Sequence, residues 1–206
     1  MLDPLARQAI DPPLNAAGAW LARTGVSANA LTWSGFAIGL GAMAALSVQA
    51  YWIALALILT NRLFDGLDGA LARQLSPTDY GAFLDILLDM LTYSGLVFAF
   101  AFGRPEHALM AAFLITTFVG TGCSFLTFAV LATKRGIETE QRGRKSFYHA
   151  AGLAEGTESI LFCCAMCLFP QHFALLAGLF ATMCLITTVG RIHMARQLFD
   201  GGSSNP

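Results

Sequence analysis

Charge is what this sequence has least of. Only 12% of its 206 residues are Asp, Glu, Lys or Arg, while 56% are hydrophobic, and a soluble domain carries about 25% charged residues. That shortage excludes an ordinary water-soluble globule and describes a membrane chain. A net charge of −1 argues nothing about nucleic acid, and none is an expected partner. The opening residues, MLDPLARQAIDPPL, lack the apolar h-region of a secretory signal. Cysteines number five, and Cys123, Cys163, Cys164, Cys167 and Cys184 all lie in apolar stretches. Cys164 and Cys167 spell C-x-x-C, but no second Cys or His pair stands at zinc spacing and no strand–helix–strand pattern surrounds it. They read as small apolar side chains without a disulfide. Repeats and linkers are lacking as well, so residues 1–206 read as one domain.

What is present is a series of long apolar runs, each near the roughly 20 residues needed to cross a bilayer. The sequence predicts an all-α integral membrane protein with six transmembrane helices, occupying about 29–192. Residues 1–27, with Pro4, Pro12 and Pro13 and a weakly amphipathic run to Trp20 and Leu21, read as an interfacial amphipathic segment. Ser27 is the expected N-cap of the first span. Gly35 and Gly39 place a G-x-x-x-G pair in that span, allowing close helix approach. The second span starts near Tyr51 and runs into an aspartate-rich stretch that Pro77 ends. Asp79 is the expected cap of the third span. Gly120, Gly122 and Ser124 give the fourth a small-residue packing face, and Pro170 divides the fifth from the sixth. The tail, 200–206, is expected to be disordered.

Basic residues set the orientation. With six spans, Arg7, Arg23, Arg73, Lys134, Arg135, Arg142, Arg144, Lys145, Arg191 and Arg196 share one side of the membrane. Arg104 stands alone on the other, and Arg62 lies within a span. Ten against one predicts that the first side faces the cytoplasm. A bacterial-type inner (plasma) membrane is the expected location.

Against this background the stretch DGLDGALARQLSPTDYGAFLDILLD is anomalous. Asp65 and Asp68 are spaced i,i+3, and Asp85 and Asp89 i,i+4, so each pair projects from one helical face. A carboxylate at the centre of a spanning helix costs about 2.5–3.5 kcal/mol on insertion scales, and repulsion among ionised neighbours adds to that. Hard divalent cations prefer oxygen ligands and remove the charge. Two such ions would hold all four acids, which predicts a two-metal site between two helices. Gly66 and Gly69, each costing about 1 kcal/mol in a helix relative to alanine, suggest close approach by something bulky. Arg73 lies one turn past Gly69, placed to meet a phosphate oxygen. Two other readings stay open: an ion-pair network in which Arg62 and Arg73 balance the acids, and a divalent-cation transporter.

The same residues resemble the signature of the CDP-alcohol phosphotransferases, D-x-x-D-G-x-x-A-R followed by G-x-x-x-D-x-x-x-D. It is filled here by Asp65, Asp68, Gly69, Ala72, Arg73, Gly81, Asp85 and Asp89. The resemblance implies that Asp65, Asp68, Asp85 and Asp89 ligate two divalent cations, Mg²⁺ before Mn²⁺, and that Asp89 is also the general base. It implies CDP contacts from Gly69, Arg73 and Thr78, and from Asn29 and Thr32 at the start of the first span, where the family's usual proline is missing. It also implies a homodimer.

The implied reaction is transfer of a substituted phosphate, phosphatidyl in the first place, from a CDP-alcohol such as CDP-diacylglycerol to a small alcohol. CMP is released, and the setting is phospholipid biosynthesis beside membrane lipid. Hydrolysis of the CDP-diacylglycerol pyrophosphate is the further alternative. Arg142 and Lys145, and the i,i+3 pair Glu155 and Glu158, are the candidate acceptor residues. The sequence does not say whether the acceptor is phosphorylated.

Overall fold

In the computed structural model, residues 3–136, 153–154 and 156–200 are described. Every regular element among them is helical. Seven α-helices follow in order: α1 (Asp3–Leu21), α2 (Ala28–Ser47), α3 (Tyr51–Leu75), α4 (Asp79–Gly103), α5 (Ala108–Lys134), α6 (Gly156–Leu168) and α7 (Phe173–Asp200). Short 3₁₀ turns, Pro105–His107 and Pro170–His172, lead into α5 and α7. Among the described residues, four segments are long and apolar enough to cross a membrane: Ala28–Ser47, Asp79–Gly103, Pro105–Lys134 and Pro170–Phe199. The expected second span is the helix α3, which carries Arg62, Asp65, Asp68 and Arg73. The expected fifth span appears as the 13 residues of α6.

The helix ends follow local chemistry. Ser27 caps α2, its hydroxyl accepting from the Ala30 amide at 3.2 Å. Helix α3 stops where Ser76 turns to φ 78° ahead of Pro77, since a residue before proline is driven from the helical region. Thr78, rather than the expected Asp79, caps α4: its Oγ1 accepts from the Gly81 amide at 3.0 Å while Asp79 is the first helical residue. Both are competent caps, and the extended backbone at Thr78 decides between them. On the far side, Gln49 Nε2 donates to the Gly103 carbonyl at 2.7 Å, tying the α2–α3 turn to the end of α4.

Helix α2 packs against α3 and α4, α5 against α7, and α1 along α3. Between lipid-embedded helices close contact, not exclusion of water, is the attraction, and small residues provide it. A Cβ at Gly39 would sit 3.3 Å from Thr92 of α4, and one at Gly35 3.2 Å from Phe64 of α3. Gly120 faces Thr188 of α7, and Gly122 faces Met90 of α4. The largest core joins the C-terminal halves of α2, α4 and α6 to the N-terminal halves of α3, α5 and α7. Phe100 stacks on Phe173 at 4.1 Å and Phe162 on Phe180 at 4.9 Å. Cys163, Cys167 and Cys184 are buried there as apolar groups. The aspartates occupy the opposite halves of α3 and α4.

Candidate active site

Asp65 and Asp68 come from α3, and Asp85 and Asp89 from the facing turns of α4. Asp65, Asp68 and Asp85 each present a carboxylate oxygen, and these atoms lie within 4.8 Å of one another. They share a narrow cleft with Thr32, Gly35, Asn61, Arg62 and Asp89. Its free volume, about 10 Å³, is that of one small ion or water. Asp68 is buried, 5% exposed, and its Oδ2 has no hydrogen-bond partner. A buried carboxylate oxygen left bare is costly in a protein interior. An all-oxygen donor set with one bare buried oxygen fits a hard divalent cation.

Asp89 is engaged differently. Its Oδ1 accepts from Arg62 Nη2 at 2.8 Å, while Arg62 Nη1 lies 3.5 Å from Asp65 Oδ2. Arg62 Nε donates to Asn61 Oδ1 at 2.8 Å, and Nη1 to the Tyr93 hydroxyl at 3.0 Å. Asn61 in turn donates to the Gly35 carbonyl at 2.8 Å. The sequence reading gave Asn61 and Tyr93 no role and assigned Arg62 only as a counter-ion. The available signals were the i,i+3 step from Arg62 to Asp65 and the i,i+4 continuation from Asp85 through Asp89 to Tyr93.

The positions assigned to CDP fall around the same mouth. Thr32 lines the aspartate cleft. Asn29 and Thr78 converge on Gly81, where a Cβ would meet Asn29 Oδ1 at 3.2 Å and Thr78 Oγ1 at 3.1 Å. Arg73 is exposed, and its Nη2 donates to Asn15 Oδ1 of α1 at 3.0 Å. The two helix glycines have separate explanations. At Gly66 the close neighbour is Leu14 of α1, 2.8 Å from a would-be Cβ, whereas at Gly69 the neighbour is Arg73 of its own helix. Gly66 is therefore a packing glycine, and Gly69 keeps an open approach beside Arg73.

A second, larger cavity of about 220 Å³ opens among α4, α5, α6 and α7, lined by Asp89, Tyr93, Thr121, Phe125, Ser159 and Arg191 among others. Asp89 lines both spaces. Of the four acceptor candidates, Arg142, Lys145 and Glu155 lie outside the described residues. Glu158 is half-buried on α6, and the residues lining this cavity are its neighbours Gly156 and Ser159 instead.

Carboxylates thus gather in a polar cleft between apolar helices, beside a separate cavity of about 220 Å³. The chain belongs to the CDP-alcohol phosphatidyltransferase family, whose model matches residues 25–190. It is thus a phosphotransferase and a membrane protein. It is 46% identical to the inner membrane protein YnjF of Escherichia coli, over 93% of this chain and 94% of that one. It is 28% identical to the archaetidylinositol phosphate synthase of Pyrococcus horikoshii, over 95% and 97%. Among solved structures, its fold is similar to that of Mycobacterium tuberculosis phosphatidylinositol phosphate synthase with CDP-DAG bound. The TM-score is 0.64 at 19% identity, over 89% of this chain and 93% of that one.

Proposed function

We propose that this enzyme transfers a phosphatidyl group from CDP-diacylglycerol to the hydroxyl of a small alcohol and releases CMP, working as one six-helix membrane domain. The observation that carries the reading is the place of Asp89, shared between the carboxylate cleft and the 220 Å³ cavity. A nucleotide pyrophosphate belongs at the mouth of the cleft, an acceptor in the cavity, and the group that takes the acceptor proton between them. CDP-DAG bound to the structurally similar mycobacterial synthase supports the donor. The names archaetidylinositol phosphate synthase and phosphatidylinositol phosphate synthase, borne by the two similar proteins above, support a polyol phosphate among the acceptors to be tried.

Asp65, Asp68 and Asp85 would hold divalent cations, Mg²⁺ in the first place, while Asp89, engaged by Arg62, is left for the proton. When bound, such ions supply Lewis-acid stabilisation of the pyrophosphate oxygens and of the CMP leaving group. The chain's own residues do the rest. Arg73 and the open backbone at Gly69 receive the pyrophosphate side of the nucleotide, and Asn29, Thr32 and Thr78 line its approach. Asp89 accepts the proton of the acceptor hydroxyl as that oxygen bonds to the β-phosphorus and the bond from that phosphorus to the CMP oxygen breaks. The site faces the cytoplasm, where CMP and a soluble alcohol exchange freely, and the enzyme works as a homodimer.

The test incubates purified protein and CDP-diacylglycerol with glycerol phosphate, inositol phosphate, serine, inositol or choline, with Mg²⁺ or with chelator. CMP release that needs both an alcohol and the cation is the expected result. Release without any alcohol would make the enzyme a hydrolase, and no release with any of them would reject the reading.

A further inference from the structure

We infer that Arg62 is a positioning residue for Asp89, an assignment that rests on the reaction proposed above. The Arg62 side chain is 10% exposed, and each of its three nitrogens has a named acceptor. Nε is on Asn61, Nη1 on Tyr93, and Nη2 on Asp89. The guanidinium also lies over the Tyr93 ring, 4.9 Å from its centroid. Asn61, 4% exposed, is fixed in turn by the Gly35 carbonyl. A continuous relay thus runs from the backbone of α2 through Asn61 and Arg62 on α3 to the carboxylate on α4.

A counter-ion needs only to be near its partner. This guanidinium has its plane defined by three hydrogen bonds and an aromatic face, which sets direction as well as charge. With Oδ1 of Asp89 committed to Arg62, the second carboxylate oxygen is the one left for the acceptor proton. Rotation about the bond to the carboxylate would exchange the two oxygens, and Arg62 blocks that exchange. Lysine at this place would keep the positive charge and lose the fork.

Steady-state CMP release with the active alcohol, together with Mn²⁺ binding followed by electron paramagnetic resonance, tests the assignment on the full chain. Arg62→Lys is expected to lower kcat by about tenfold or more, as displacement of a reacting group does. KM for CDP-diacylglycerol and Mn²⁺ affinity should change little. Asn61→Ala, which frees Nε and leaves the charge, should lower kcat in the same sense by less. Wild-type kcat in Arg62→Lys would overturn the inference. So would a loss that falls on Mn²⁺ affinity or KM, because Arg62 would then be a counter-ion of the cluster. Should Arg62→Lys not fold, wild-type kcat in Asn61→Ala overturns it alone. Wild-type protein that releases no CMP at all rejects the reaction itself and this role with it.

Discussion

At the scale of single residues, Asp68 and Asp89 make opposite demands on the fold. Asp68 is buried with a bare oxygen, so its ionised form is destabilising, and the cation proposed above would relieve it. Asp68→Asn removes that charge while breaking no protein hydrogen bond to Oδ2. Its expected effect is an unchanged or higher melting temperature without cation, together with loss of the rise that Mg²⁺ gives the wild type. A Mg²⁺-induced rise equal to the wild type's would remove Asp68 from the ligand set. Asp89→Asn keeps the shape of the side chain and its acceptor for Arg62, but gives up the base. CMP release should fall by about 10²–10⁴-fold, with the folded protein still extracted from the membrane as a single species. Retained activity would end the base assignment. The four aspartates themselves were legible in the sequence, because i,i+3 and i,i+4 spacing is a property of one helix. The partner of Asp89 was not, because Arg62 reaches it only through the register of α3 against α4. Spacing alone likewise left Gly66 and Gly69 alike, and only the seating of Leu14 separates them.

Among the elements, α1 has more to do with the site than an interfacial segment needs. It lies along α3 with Gly18 against the backbone of Ala70, where a Cβ would sit 2.9 Å from the carbonyl carbon. Asn15, on the same helix, holds Arg73. Ile10 and Trp20 of the same helix are 52% and 65% exposed. Gly18→Val would push α1 off its seat and take Asn15 from Arg73. Destabilisation of about 1–3 kcal/mol is expected for such overpacking, with KM for the CDP-alcohol raised more than kcat is lowered. Thermal unfolding and initial rates check both, and a wild-type KM would separate α1 from the nucleotide. At the other side of the bundle, the buried Thr187 hydroxyl accepts from the Leu153 and Ala154 amides and donates to the Met183 carbonyl. Thr187→Val should cost about 1–3 kcal/mol, because both amides lose their partner, and differential scanning fluorimetry would show it. Helix boundaries set by Ser27 and Pro77 could be read in advance, since each acts on its own neighbours. The cap of α4 could not: Asp79 was the residue expected there, and the extended backbone that makes Thr78 the cap shows only in the structure.

For the molecule as a whole, the contested helix is α3. It is charged enough to fail as a span by composition, yet the cytoplasmic site proposed above needs it to cross. Its charges are Arg62, Asp65, Asp68 and Arg73, all from its twelfth residue onward, while its first turns, from Tyr51 to Thr60, are apolar or uncharged. The helix has 25 residues, roughly 38 Å at 1.5 Å each, against a hydrocarbon core of about 30 Å. A helix of that length can cross the core and still carry the end bearing Arg73 into the headgroup region. Arg62 and Asp68 are turned to α2 and α4 and away from lipid, in the cleft already described. Lipid-facing apolar positions such as Trp52, 75% exposed, and Leu109, 86% exposed, mark the other surface of the bundle. These features argue for a full crossing between Gln49 and Ser76, the two turns that bracket α3. Single cysteines placed at these two positions, in a chain whose five native cysteines are replaced, give the decisive measurement. In sealed right-side-out vesicles an impermeant maleimide should label the Gln49 position, and in inverted vesicles the Ser76 position. Labelling of both from one side would make α3 a re-entrant or surface helix. The six-span topology proposed above, and the ten-to-one division of basic residues counted on it, would then fall.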